Sequence, residues 1–209
     1  MMRIVIHAPP LVIAMVALGV VLAGQTQPAA QPKIKVSGGP VKNNDDSQVY
    51  RNSTLGFHYQ IPYGWVDRTK NMRGEIEVGK GEVLLAAFER PPEATGETVN
   101  STVVIASESA ASYPGLKRAE DYLGPLAELA SAQGFKASGE PYALEVESRQ
   151  LVRADFVKRI SEKLTMLQCT LVLLAKGQIV SFTFIAGSED ELDEIMDGLH
   201  FGAAKTSAH

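Results

Sequence analysis

Apolar and polar residues alternate through Phe57-His-Tyr-Gln-Ile61, with Phe57, Tyr59 and Ile61 at every second position. A period of two lines the three up on one face of a strand. Ile61-Pro-Tyr-Gly64 then has the composition of a type I turn, with proline second and glycine fourth. Such a turn would carry Trp65, the single tryptophan, into the core beside Tyr59. Further along, Glu75 to Val78 and Glu82 to Arg90 read as strands joined by the hairpin signal Gly79-Lys80-Gly81. Thr102 to Ser107 reads as another strand.

Two segments switch to the helical period. Leu116 to Gln133 carries apolar residues at 116, 119, 122, 123, 126, 129 and 130, and Gly134 closes it as a C-cap. Gly124-Pro125 predicts a kink or two short helices, because proline lacks an amide hydrogen and crowds the preceding turn. Ser188 to Leu199 is the last helix, opened by the capping box Ser188-Glu-Asp-Glu191 and buried along Leu192, Ile195, Met196 and Leu199.

Leu151 to Ala186 predicts three antiparallel strands. A turn at Ser161-Glu162 sets Ile160 against Lys163, and a turn at Lys176-Gly177 sets Ala175 against Gln178. Both turns then place the same apolar set on one face: Val152, Ala154, Phe156, Leu167, Cys169, Leu171, Val180, Phe182 and Phe184. The other face aligns Arg153 with Thr170 and Thr183, and Asp155 with Gln168. These five polar residues, flanked by Val157, Met166, Val172 and Ile179, are the candidate ligand-binding set. Mixed lining of this kind suits a groove. It also suits a partly solvated sheet face with a satisfied Arg-Asp pair.

The ends of the chain change the picture of where it works. Arg3 precedes the uncharged run Leu11 to Leu22, and small residues Ala23 and Gly24 follow, so residues 1–24 have the form of a secretory signal. The run is short for a membrane span, which takes about 20 residues; membrane contact would come only through this segment if uncleaved. Leu22-Ala23-Gly24 is followed by Gln25, where a lipoprotein would carry its acylated cysteine. Residues 25–47 are rich in Pro, Gly, Gln, Asn and Ser and read as a flexible linker, and residues 203–209 as a disordered tail. One domain, residues 48–202, lies between. A secreted or periplasmic location follows.

Composition is that of a globular chain of 209 residues with 45% hydrophobic residues and formal net charge −4. That charge gives no broad electrostatic reason to bind nucleic acid. Cys169 is the only cysteine, so no intrachain disulfide is possible, and its position predicts a buried apolar role. His58 and His200 are the domain's histidines. Neither belongs to a nucleophile elbow or a His-Glu-x-x-His helix, and no metal-ligand spacing or cofactor motif is present. Catalytic residues converging from distant positions, around His58, remain the enzymatic alternative. The acid-rich stretch Glu189 to Asp197 lacks the spacing of a calcium loop and reads as a solvated helix face.

The stretch Tyr50-Arg-Asn-Ser-Thr-Leu-Gly-Phe-His-Tyr-Gln-Ile-Pro-Tyr-Gly-Trp65 resembles the N-terminal signature of the PsbP-like superfamily, in which Gly-aromatic-x-aromatic leads into Pro-x-Gly-Trp. Phe156-Val-Lys-Arg159, two strands, a capped helix and Gly198-Leu-His-Phe201 resemble its C-terminal order. The resemblance implies an α+β fold, an α/β/α sandwich with a central, mainly antiparallel sheet flanked by helices. The superfamily includes an extrinsic protein of photosystem II, a Ran-binding import factor and envelope proteins of the DcrB and LpqN kinds. It implies binding or assembly without catalysis, with no catalytic motif to carry over. The signal-like start then predicts a non-enzymatic envelope module that engages a protein partner. A small-molecule binder using the Arg153, Asp155 and Gln168 face is the alternative, and an envelope hydrolase a further one.

Overall fold

The computed structural model describes residues 48–75 and 81–202. The signal-like segment 1–24, the linker 25–47, the tail 203–209 and most of the Glu75 to Val78 strand with its glycine turn lie outside those residues. Glu75 itself ends a helix instead of starting a strand.

The elements run β1 (Val49–Asn52), β2 (Phe57–Gln60), β3 (Val66–Asp67), α1 (Thr69–Glu75), β4 (Glu82–Phe88), β5 (Thr102–Ser109), α2 (Leu123–Ala132), β6 (Lys136–Ala137), β7 (Tyr142–Val146), β8 (Arg149–Arg159), β9 (Thr165–Ala175), β10 (Gln178–Ala186), α3 (Glu189–Met196) and β11 (Leu199–Phe201). An eight-stranded sheet has the order β3-β4-β5-β10-β9-β8-β6, with β7 also paired to β8; a second sheet has the order β1-β2-β11. Every strand pair is antiparallel. The fold is α+β, a mainly antiparallel sheet flanked by helices.

Both faces of the large sheet are covered. On one face Phe182, Phe184, Leu171 and Cys169 pack with Leu192 and Ile195 of α3 and with Phe57, Tyr59 and Phe201 of the small sheet. On the other, Ala154, Phe156, Val172, Ile179 and Ile185 pack with Leu126 and Ala130 of α2. Met72 of α1 packs against Val83, Ala86, Phe88 and Val104 on that second side. A bulge in β4 between Val83 and Leu85 lets successive residues serve both cores: Val83 packs with α1, while Leu84 and Leu85 join the α3 side.

The β9–β10 register is the expected one, with Gln178 opposite Ala175 and Phe184 opposite Cys169. Lys176 and Gly177 close it with φ of 51° and 73°, as a two-residue hairpin turn requires. The β8–β9 register is displaced by one residue from the expected one. Asp155 lies opposite Cys169 and Phe156 opposite Gln168. The cause is the connection. Ile160 N–H donates to Leu164 O at 2.9 Å, so the loop is Ser161-Glu162-Lys163, and Ser161 Oγ accepts from the N–H groups of Lys163 and Leu164 at 3.3 and 3.1 Å. Because side chains alternate, one residue of slip exchanges the faces of β8. Ala154 and Phe156 therefore leave the Cys169 face and pack under α2, and Val152, opposite Val172, turns to the same face.

The other local differences have simple causes. Gly124 and Pro125 fall in the first turn of α2, where amide hydrogens lack intrahelical partners, so proline begins this helix after a separate 3-10 turn at Ala119–Tyr122. Leu199 opens β11 instead of continuing α3, and is buried from there. The Trp65 N–H donates to Pro62 O at 3.3 Å, so the turn sits one residue later than expected, with Gly64 at its third position and φ of 83°. Trp65 is only partly buried and packs on the edge of the core, while Tyr63 at the turn is 96% exposed.

Candidate functional site

The one-residue slip divides the five polar candidates. Gln168, Thr170 and Thr183 stand on the α2 face, where Thr170 is opposite both Ala154 and Thr183. Gln168 Nε2 donates to Thr170 Oγ1 at 3.2 Å, and the hydroxyls of Thr170 and Thr183 are 3.2 Å apart. All three are buried, and Leu126, Leu129 and Ala130 of α2 lie over them with a residual void of about 30 Å³. A space of that size holds at most about one water. These residues form a hydrogen-bonded ladder inside the core; the register parts Thr170 and Thr183 from Arg153 and Asp155, while Gln168 also borders the cleft beside that pair.

Arg153 and Asp155 instead face α3. Arg153 Nε donates to Asp155 Oδ1 at 2.9 Å and to Oδ2 at 3.0 Å. The guanidinium lies over the ring of Tyr142, 5.9 Å from its centre, because β7 places Tyr142 opposite Arg153. The side chains of the pair keep 20% and 25% of their exposure. Beside them the sheet and α3 leave a cleft of about 370 Å³. Leu167 and Leu192 supply its apolar lining, Arg153 and Asp155 one wall, and Glu189 and Asp193 of α3 the other, with Ser138, Phe156 and Gln168 also at its border. The α3 wall is positioned by its cap: Ser188 Oγ accepts the Glu191 N–H at 3.3 Å, while Glu191 turns back to accept from Ser101 Oγ at 2.5 Å and Gly187 N–H at 3.1 Å.

Cys169 lies opposite Asp155 and is fully buried. Burial pushes its thiol well above the ordinary value, and the nearby Arg153 charge only partly offsets this. A thiol held protonated in the core is a poor nucleophile. Its burial is the expected one; its neighbour across the strand is Asp155 and not Ala154.

The histidines converge on the outward face of the small sheet. His58 and His200 are directly opposite on β2 and β11, with rings stacked and centres 5.1 Å apart. Glu147, in the β7–β8 turn, has Oε1 3.2 Å from His200 Nδ1, and its Oε2 accepts the Phe201 N–H at 2.7 Å. The Phe201 amide and His200 hold the Glu147 carboxyl below its ordinary pKa. His58 Nδ1 is buried without a hydrogen-bond partner among the described residues. No Ser, Thr or Cys side chain hydrogen-bonds either histidine among those residues.

A third polar cluster is internal. Glu108 on β5 accepts from the hydroxyls of Tyr113 and Tyr122, the latter at 2.6 Å, and the two rings meet edge to face. It fastens the segment before α2 to the sheet. Sequence periodicity missed it because the alternation of β5 ends in a glutamate that reads as solvent-facing.

No protein-family model matches the chain, and no curated protein is similar to it. Solved structures are. Cyanobacterial PsbP from Synechocystis is 13% identical, over 78% of this chain and 98% of that one, with a TM-score of 0.49. PA94 from Pseudomonas aeruginosa, of unknown function, is 16% identical over 72% of this chain and 88% of that one, with a TM-score of 0.37. LpqN of Mycobacterium tuberculosis, involved in cell envelope biogenesis, is 14% identical over 79% of this chain and 90% of that one, also at 0.37.

Proposed function

We propose that the protein is a non-enzymatic extracytoplasmic binding module of the cell envelope, and that it engages a protein partner at the cleft between β8 and α3. The observation that carries this reading is the Arg153–Asp155 pair, set in the wall of a cleft of about 370 Å³ instead of being buried or left on an open surface. Asp155, Glu189 and Asp193 outnumber Arg153 there, so the cleft favours a cationic group such as a lysine or arginine side chain. The apolar lining from Leu167 and Leu192 suits the aliphatic stem of such a residue. The signal-like N-terminus supports an envelope location.

The test places a photocrosslinking residue at Ser138, beside the cleft, and at the exposed Glu140 as a control, with envelope extract as the source of partner. A specific adduct from position 138 that is lost with Asp193→Lys is the expected result. Equal adducts from both positions, or an adduct indifferent to Asp193→Lys, would overturn the reading. A small-molecule ligand is the second reading, favoured by the cleft volume, which falls within the about 300–1,000 Å³ of ligand pockets. It would show as displacement of the adduct by the low-molecular-weight fraction of the same extract.

A further inference from the structure

The outward face of the small sheet carries a second arrangement, independent of the cleft. Gln60 N–H donates to Gly198 O and Gly202 N–H to Gly56 O, so His58 and His200, midway between, form a hydrogen-bonded strand pair. The Cα atoms of such a pair are about 5.5 Å apart and their side chains leave the sheet side by side. The rings are stacked at 5.1 Å with planes 29° from parallel. Glu147 Oε1 faces His200 Nδ1 at 3.2 Å, which favours the proton on Nδ1 and leaves the Nε2 lone pair free. In His58 the buried nitrogen is Nδ1, so Nε2 is the one presented to solution.

We propose that His58 and His200 form a two-imidazole chelate for a borderline divalent cation of the Zn²⁺, Ni²⁺ and Cu²⁺ class, with Glu147 orienting His200 from behind. Neutral imidazole suits these metals over Mg²⁺ or Ca²⁺. A carboxylate on the far nitrogen of a ligating histidine is the usual outer partner of such sites, where it fixes the tautomer and raises ligand basicity. Small rotations of the two rings would bring the Nε2 atoms together, and His200 retains 38% of its side-chain exposure to allow them. Arg51 lies across from His58 on the other side with its guanidinium turned back to Val49 O at 3.4 Å, and the Arg149 guanidinium reaches the same face beside Gly56. Among the described residues no three His, Cys, Asp or Glu side chains form a metal cage. Water would therefore complete the coordination, giving an open, exchangeable site and not a structural one.

The test uses the full chain without an affinity tag. Titration with ZnCl₂ near neutral pH in a non-coordinating buffer should show a single equivalent bound, lost in His58→Asn and in His200→Asn. Glu147→Gln should weaken binding by about tenfold, as loss of an outer partner does. Circular dichroism checks that the variants fold. With Cu²⁺ as probe, paramagnetic resonance of the wild type should show two equatorial nitrogens, a readout that needs no variant. Stoichiometric zinc retained by the double variant, no zinc uptake by the wild type, or a copper spectrum with fewer than two nitrogens would each overturn the proposal.

Discussion

The Glu147 carboxylate accepts the Phe201 backbone N–H at 2.7 Å and so ties the β7–β8 turn of one sheet to the edge strand of the other. Glu147 and Ser148 occupy left-handed backbone, with φ of 44° and 71°, and this turn is what aims the carboxylate at β11. The group caps a sheet edge that would otherwise present an open N–H. Its pKa is lower in the folded chain, first because of the Phe201 amide and then because of His200. A depressed carboxyl pKa stabilises the fold above its unfolded value, and the contribution disappears as pH falls through the folded value. Glu147→Gln should therefore lower the urea midpoint at pH 7, and the gap to the wild type should close as the pH falls below the ordinary carboxyl value of 4.5. Urea unfolding across the acid range measures it; a gap that persists undiminished into strong acid would contradict the assignment.

The buried tyrosines set the alkaline limit. Burial raises the pKa of Tyr59, Tyr113 and Tyr122 above the ordinary 10.0, and Glu108 adds to the effect at the latter two. Here the unfolded chain loses its protons first. The stabilisation is complete below pH 10 and is lost as pH rises through and beyond it. These three rings should stay un-ionised until the chain unfolds, giving a step in tyrosinate absorbance that coincides with loss of circular dichroism. Tyr122→Phe should shrink that step and cost about 1–3 kcal/mol at neutral pH, since it removes one donor from a buried carboxyl group.

The parts of the fold legible in sequence are those with local chemistry. Lys176-Gly177 dictates its own turn, and Ser188 caps its own helix, so the β9–β10 register and the start of α3 could be read directly. The β8–β9 register could not. Ser161-Glu-Lys163 can close with either two or three loop residues, and β8 offers apolar residues to both faces, Leu151 and Val157 to one and Val152, Ala154 and Phe156 to the other. A sheet buried on both sides gives no amphipathic signal to choose between them. The candidate site inherited that ambiguity: Arg153, Asp155 and the largely buried Gln168 border a cleft, while Thr170 and Thr183 lie inside the core. Helix α1, with Met72 as its apolar contact, has no helical stripe to read. His58 and His200 meet only through strand pairing, which their separation in sequence conceals.

Trp65 is less of an anchor than its size suggests. It is partly buried at the edge of the core, whereas Phe182 is wholly enclosed and meets Phe57 edge to face at 5.0 Å. Truncation cost follows the apolar area withdrawn from water and the cavity left behind. Phe182→Ala should therefore cost about 3–5 kcal/mol and Trp65→Ala only about 2 kcal/mol. Chemical denaturation of the two variants compares them. Equal losses would mean that Trp65 is packed as tightly as the central phenylalanine.

The Ser161–Lys163 loop and the two cores agree on one register for β8, and shortening the loop sets them against each other. Ser161→Ala removes one side-chain acceptor shared by two exposed N–H groups, so it should cost only about 0.5–1 kcal/mol and leave the register intact. Deleting Glu162 is different. If the loop kept three residues, now Ser161, Lys163 and Leu164, Ile160 would lie against Thr165 and Arg153 and Asp155 would turn toward α2, into the space now filled by Ala154 and Phe156. Burying an ion pair there, while Val152, Ala154 and Phe156 swing toward the cleft side, costs far more than a strained loop. The deletion should therefore close with a two-residue loop of Ser161 and Lys163 that keeps Ile160 opposite Leu164 and the native register; a stable chain with Arg153 and Asp155 protected under α2 would show that the loop, and not the two cores, selects the register. Hydrogen exchange along β8, read against Ser161→Ala, distinguishes these outcomes.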